Sequence, residues 1–187
     1  YGGIAKHIEN YTNVKDVIDK VLDATLTYQN ELNVVYKEIF ANGDIQLLDL
    51  KSFRLSNISD ILMTNLYNKK SIMCFTVSSN QLYIGTEFGL VIYDLKKNQV
   101  KVDVSKLNGI DNFSVRSVAV TSDSVWISTT SGVFGTSISN PNFKNPDSWD
   151  SVPISNLPNN SYELNYQNQN LYLATDKGLF SKSGKRF

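Results

Sequence analysis

The chain has 187 residues, with 18 Lys+Arg against 18 Asp+Glu and a single histidine. That length holds one sizeable core, or one domain with an appendage. The balanced charge and the lack of a basic block exclude a general nucleic-acid footprint, and no apolar run reaches the ~20 residues that span a bilayer.

The first expected element is a long helix over residues 13–41. Asn13 offers an N-cap with Asp16 three residues on, and Gly43 in "ANGD" suits the left-handed C-terminal cap. No Pro or Gly interrupts the stretch. Val14, Ile18, Val21, Thr25, Tyr28, Leu32, Val35 and Ile39 step alternately by four and three, the spacing of a coiled-coil seam. Val17, Leu22, Leu26 and Val34 widen the stripe, which suits a trimer or docking on a larger surface. Packing of the helix on its own domain is the alternative. His7 stands before this segment, in an expected N-terminal arm.

After Gly43 the helical period ends. "DIQLLDLKSFRLSN" reads as strand-like, and "ISDILMTNLYNKKS" as a turn and linker. From Ser71 the signal is β, with alternation, β-branched and aromatic residues, and a turn cluster every 8–12 residues. Three stretches align without gaps: "SIMCFTVSSNQLYIGTEFGL" from Ser71, "SVRSVAVTSDSVWISTTSGV" from Ser114 and "NSYELNYQNQNLYLATDKGL" from Asn160. Gly89, Gly132 and Gly178 become equivalent, 43 and 46 residues apart. A period in that range marks a repeat architecture.

Each copy has an alternating strand, a polar turn, and a strand with an aromatic at its second position (Tyr83, Trp126, Tyr172). That strand closes on Gly85-Thr86, Ser128-Thr129 or Ala174-Thr175, and the repeat-turn glycine follows. A third strand leaves the turn, and "QVKVDV" and "WDSVPI" supply an outer fourth. Four antiparallel strands per repeat describe a β-propeller blade. The equivalence of the three aromatics points to packing between blades rather than a sugar platform.

Two phrases carry a family resemblance. "LNGIDNFSVRSVAVTSDSVWISTTSGVF" and "LYIGTEFGLVIYDL" resemble the two-component-regulator propeller repeat, with its Val-rich strand, acidic turn, Leu-Trp-Ile-Gly-Thr and Gly-Leu turn. "SWDSVPISNLP" is similar to sialidase-type propeller repeats, where a Trp precedes the next blade. The resemblance covers about residues 60–187 and departs from the pattern at Ser128 and Ala174, which stand for Gly. It implies a propeller, a fold that hosts enzymes, sensors and scaffolds alike.

The expected fold class is therefore mainly β with a long N-terminal helix: an incomplete β-propeller of about three four-stranded blades plus a coiled-coil-like helix. The expected divisions are an arm and helix at 1–43, a linker at 44–70, and repeats at 71–187, split at about 71–113, 114–159 and 160–187. Three blades do not close a ring, since propellers start at four. The chain reads as a piece of a longer protein, completed by later blades or by another chain.

No catalytic constellation emerges. With His7 alone there is no Ser-His-Asp set and no His-based metal site. Cys74 has no disulfide partner and reads as a structural thiol. Asp94, Asp103, Asp111, Asp123 and Asp176 show no calcium-loop spacing. Gly85 and Gly89 have no following Lys-Ser/Thr, so a phosphate loop is rejected. Asn10, Asn57, Asn112 and Asn159 open Asn-x-Ser/Thr triplets that follow from an Asn-rich composition.

No catalytic, cofactor or metal residue is expected. The expected function is a non-enzymatic structural or binding protein of a larger assembly, such as a phage tail fibre, baseplate or collar component in a virion. The helix would serve homo-oligomerisation or docking, and the propeller a glycan or protein ligand. The alternative is an extracytoplasmic ligand-sensing propeller of a bacterial signalling protein. A polysaccharide-acting propeller enzyme is the third possibility, its acidic residues drawn from distant blades.

Overall fold

The computed structural model describes residues 43, 45–48, 55–63, 65, 68–152 and 161–182. The first sheet pairs β1 (Ile45–Leu48) with β2 (Leu55–Ile58) in antiparallel register, Ile45 opposite Ile58. A single helical turn, α1 (Asp60–Met63), follows it.

Then come the repeats. β3 (Ile72–Ser78), β4 (Gln81–Thr86), β5 (Gly89–Asp94) and β6 (Gln99–Val104) form a four-stranded antiparallel sheet in chain order. A small hairpin of β7 (Lys106–Leu107) and β8 (Ile110–Asp111) connects to the next repeat. β9 (Val115–Val120), β10 (Ser124–Thr129), β11 (Gly132–Ser137) and β12 (Asp150–Ser151) repeat the four-stranded order. β13 (Ser161–Gln167), β14 (Asn170–Thr175) and β15 (Gly178–Ser181) give the third sheet three described strands. The first strands β3, β9 and β13 lie side by side, and the sheets stack face to face as blades.

The expected fold class is corrected in its helical part. Among the described residues the helical segments are α1 and a 3-10 turn at Pro146–Ser148; the rest of the regular structure is strand. The seam residues Val14, Ile18, Val21, Thr25, Tyr28, Leu32, Val35 and Ile39 lie outside the described residues. "NVVYKEIF" is dense in β-branched and aromatic residues, which favour strands, and apolar spacing alone does not arbitrate.

The core is built by period-2 alternation. On β4 and β5, Leu82, Ile84, Val91 and Tyr93 face one way and join Phe88 of the turn between them and Ile45, Ile58 and Ile61 from the N-terminal side. Tyr83, Leu90 and Ile92 face the other way and meet Val115, Val118, Val125, Ile127 and Phe134 of the second blade. The pattern shifts forward by one blade at the next interface, where Ala119 and Val133 meet Leu164, Leu171 and Leu173. Full burial of one such aliphatic side chain contributes about 1.5–3 kcal/mol.

The recurring Thr-x-x-Gly has a physical reason. In each copy the threonine hydroxyl donates to the glycine carbonyl: Thr86 to Gly89 at 2.9 Å, Thr129 to Gly132 at 2.9 Å, Thr175 to Gly178 at 3.0 Å. It also accepts the N–H two residues on, from Phe88, Ser131 and Lys177. Gly89, Gly132 and Gly178 take φ of 140°, 131° and 124°, which L side chains rarely adopt.

Candidate functional site

All three inner strands carry a β-bulge at the same place. The register slips between Ile72 and Cys74 on β3, between Val115 and Ser117 on β9, and between Ser161 and Glu163 on β13. The extra residues are Met73, Arg116 and Tyr162. A bulge leaves its residue outside the ladder and re-aims it. Met73 and Arg116 thus reach a concave space of about 870 Å³ framed by β3, β9 and β13. Arg116 and Glu163 are the charged side chains of its lining, beside polar groups such as Thr76, Ser117 and Asn165.

Hydrogen bonds stitch the inner strands together across blades. Thr76 Oγ1 donates to the Val118 carbonyl at 2.6 Å, and Cys74 Sγ to the Val115 carbonyl at 3.8 Å. Ser117 Oγ donates to the Leu164 carbonyl at 3.3 Å and accepts the Leu164 N–H at 3.0 Å. Ser117 is buried, so both Leu164 groups depend on it for a partner at that edge. Ser117→Ala should cost about 1–3 kcal/mol, the penalty of an unsatisfied buried amide, as read from the denaturant midpoint at unchanged m-value.

The aromatics at the second strand position serve the interfaces. Tyr83 is buried in the first interface, where its hydroxyl donates to Gln81 Oε1 at 2.9 Å and burial pushes its phenol above the usual range. Trp126 is half-buried beside the second interface, with Lys182 Nζ 4.7 Å from its ring centroid. At the turn before β10, the Thr121 hydroxyl donates to Asp123 at 2.7 Å. That bond, and one from Ser124, hold the Asp123 carboxyl below its ordinary range. Asp123 is exposed, and its hydrogen bond with Thr121 belongs to the turn.

The inner-strand bulges were missed by the sequence reading, although a signal exists. Ile72 and Phe75 share one face, as do Val115 and Val118, at a spacing of three where strict alternation gives two. The phase slip marks the bulge. Among the described residues no group of three or more His, Cys, Asp or Glu could hold a metal ion. No described helix is long and apolar enough to cross a membrane.

Comparison with known proteins adds what geometry alone does not. The family described as "TSS9, PorZ, N-terminal beta-propeller domain" matches residues 4–150. The chain belongs to that family. The match starts at residue 4 and runs through the expected helix at 13–41.

Among solved structures, PorZ, "an essential bacterial surface component of the type-IX secretion system" of Porphyromonas gingivalis, superposes with a TM-score of 0.67 at 17% identity. The likeness covers 84% of this chain and 21% of that one, so the chain spans about a fifth of the PorZ structure. The computationally designed Ika4 protein has a TM-score of 0.53 at 12% identity, over 84% of this chain and 94% of its own. The dihydro-heme d1 dehydrogenase NirN has 0.55 at 12%, over 78% and 31%. At such identities the superpositions show the shared propeller fold alone. A sequence search of curated proteins gives no match.

Proposed function

We propose that this chain is a non-catalytic binding module of a bacterial cell-surface assembly, extracytoplasmic in location and of the type IX secretion kind. The observation that carries the reading is the PorZ-family match over residues 4–150. The 0.67 TM-score to PorZ, described as a surface component of that system, agrees with it. The inner-strand space with Arg116 and Glu163 is the seat for a partner group. Its chemistry suits recognition, since its two charged residues are of opposite sign, while Thr76 and Ser117 are engaged in stitching the blades.

The phage-appendage reading loses its basis. It leaned on a separate helical stem, and the PorZ-family match, which runs over residues 4–150, supports a surface propeller instead. Labelling of intact source cells with an antibody to the chain, combined with analysis of the secreted proteins of a deletion strain, tests the proposal. Surface labelling with loss of a subset of secreted proteins is the expected result. Labelling only after lysis, with an unchanged set of secreted proteins, would contradict it.

A further inference from the structure

The inner-strand space holds two charges that the packing of the blades does not use. Arg116 stands one residue before Ser117, and Glu163 one residue before Leu164. The two hydrogen bonds between Ser117 and Leu164 hold those neighbours side by side. Arg116 and Glu163 therefore flank one seam and line one space. Among the described residues the ion pairs are Lys106 with Asp111 and Lys144 with Asp103, so Arg116 and Glu163 do not pair. Arg116 is half-buried and Glu163 is exposed.

The surroundings narrow what the two can hold. Thr76 and Ser117 spend their hydroxyls on carbonyls of the next inner strand. Asn165 follows Glu163 by two residues on the same face of β13, and it is exposed in the same space. A guanidinium only donates, and an ionised carboxylate only accepts. A plain anion at Arg116 is repelled by Glu163, and a plain cation at Glu163 is repelled by Arg116. A neutral ligand leaves both charges uncompensated. A ligand that carries both charges satisfies both residues.

We infer that this space binds a small zwitterion of the amino-acid or short-peptide class, its carboxylate on Arg116 and its ammonium on Glu163. The inference rests on the reading of the space as a binding seat and adds the class of its ligand. The planar guanidinium suits a carboxylate, whose two oxygens it takes in parallel bonds. The Asn165 amide both donates and accepts, which matches a peptide link between the two ends. Met73, 43% exposed at the neighbouring bulge, offers an apolar contact to a ligand side chain. Single surface charges are common and mean little. A half-buried guanidinium on a bulge, across a seam from an unpaired carboxylate, is a matched pair of contacts.

Titrations followed by amide NMR test the inference, with glycine, glycylglycine, acetate and methylammonium as probes. The expected result is saturable shifts at the amides of Arg116, Ser117, Glu163 and Asn165 with glycine or glycylglycine, the tighter of the two reading the span between the charges. Acetate and methylammonium should bind about ten-fold or more weakly, since each lacks one charge-assisted hydrogen bond. Arg116→Gln and Glu163→Gln should each remove the advantage of the zwitterion while the rest of the spectrum stays unchanged. Acetate binding as tightly as glycine and glycylglycine would overturn the inference, because the site would then take a plain anion. Equal binding of methylammonium, or no response to any probe, would overturn it too. The surface-assembly proposal is read from cell labelling and secreted proteins, so either can fail while the other stands.

Discussion

Replacing Trp149 with alanine lowers stability by about 3–5 kcal/mol, the range for deleting a large buried aromatic. The side chain is 1% exposed and sits in the core between the first two blades. Its indole N–H donates to the Phe143 carbonyl at 2.9 Å, and its ring meets Phe143 edge-on with centroids 5.9 Å apart. The Trp149 carbonyl accepts from Asn108 Nδ2 at 3.2 Å, which ties the β7–β8 hairpin to the entry of β12. Trp149→Phe keeps most of the apolar area and loses the N–H, so it should cost markedly less, about 1–2 kcal/mol. Denaturant unfolding of both variants measures the difference. A loss below 1 kcal/mol for Trp149→Ala would mean that the tryptophan does not bridge the blades.

The second large effect is expected at Gly85. An ideal Cβ there would lie 2.4 Å from Cys74 Sγ, 2.8 Å from Val115 Cγ1 and 2.9 Å from the Val115 carbonyl. The thiol can swing away, but the Val115 backbone belongs to the inner strand of the next blade and cannot yield without separating the two. Gly85→Ala should therefore destabilise by about 1–3 kcal/mol, the range of overpacking in a filled core. The repeat copies put Ser128 and Ala174 at this position. Their departure from the Gly-Thr pattern thus reflects how closely the next blade approaches, and Ala174 lies on the face that has no described neighbour. A thermal melt of Gly85→Ala against Ala174→Gly in the 187-residue chain separates the two cases. The first should lower the transition by several degrees and the second by much less. Equal shifts would show that the close approach at Gly85 is absent.

What the sequence revealed and what it hid follow from range. The blades were legible because their determinants are local. The Thr-x-x-Gly turn closes within four residues, and the alternation of Leu82, Ile84, Tyr93 and their neighbours is a property of single strands. The Asn108-Gly109 hairpin was equally available, with φ of 42° and 81° as a two-residue turn requires, but the sequence reading gave it no element. The stitching bonds were not legible. Thr76 with Val118 and Ser117 with Leu164 join residues 42 and 47 apart, and nothing in either residue type announces such a partner. The expected helix over 13–41 lies outside the described residues, and in that segment apolar spacing and residue type point different ways. Val34, Val35, Tyr36, Ile39 and Phe40 carry a strand preference that a heptad count does not see.

The claim that these repeats are stacked blades stitched along their inner strands is tested most directly by amide hydrogen exchange at Leu164. Its N–H points away from β14 and donates to Ser117 Oγ of the preceding blade at 3.0 Å. Slow exchange at this amide, by about a hundred-fold or more against the unstructured rate, with most of that protection lost in Ser117→Ala, is the predicted result. Exchange at the unstructured rate in the unaltered chain, while the neighbouring amides of β13 stay protected, would contradict the account.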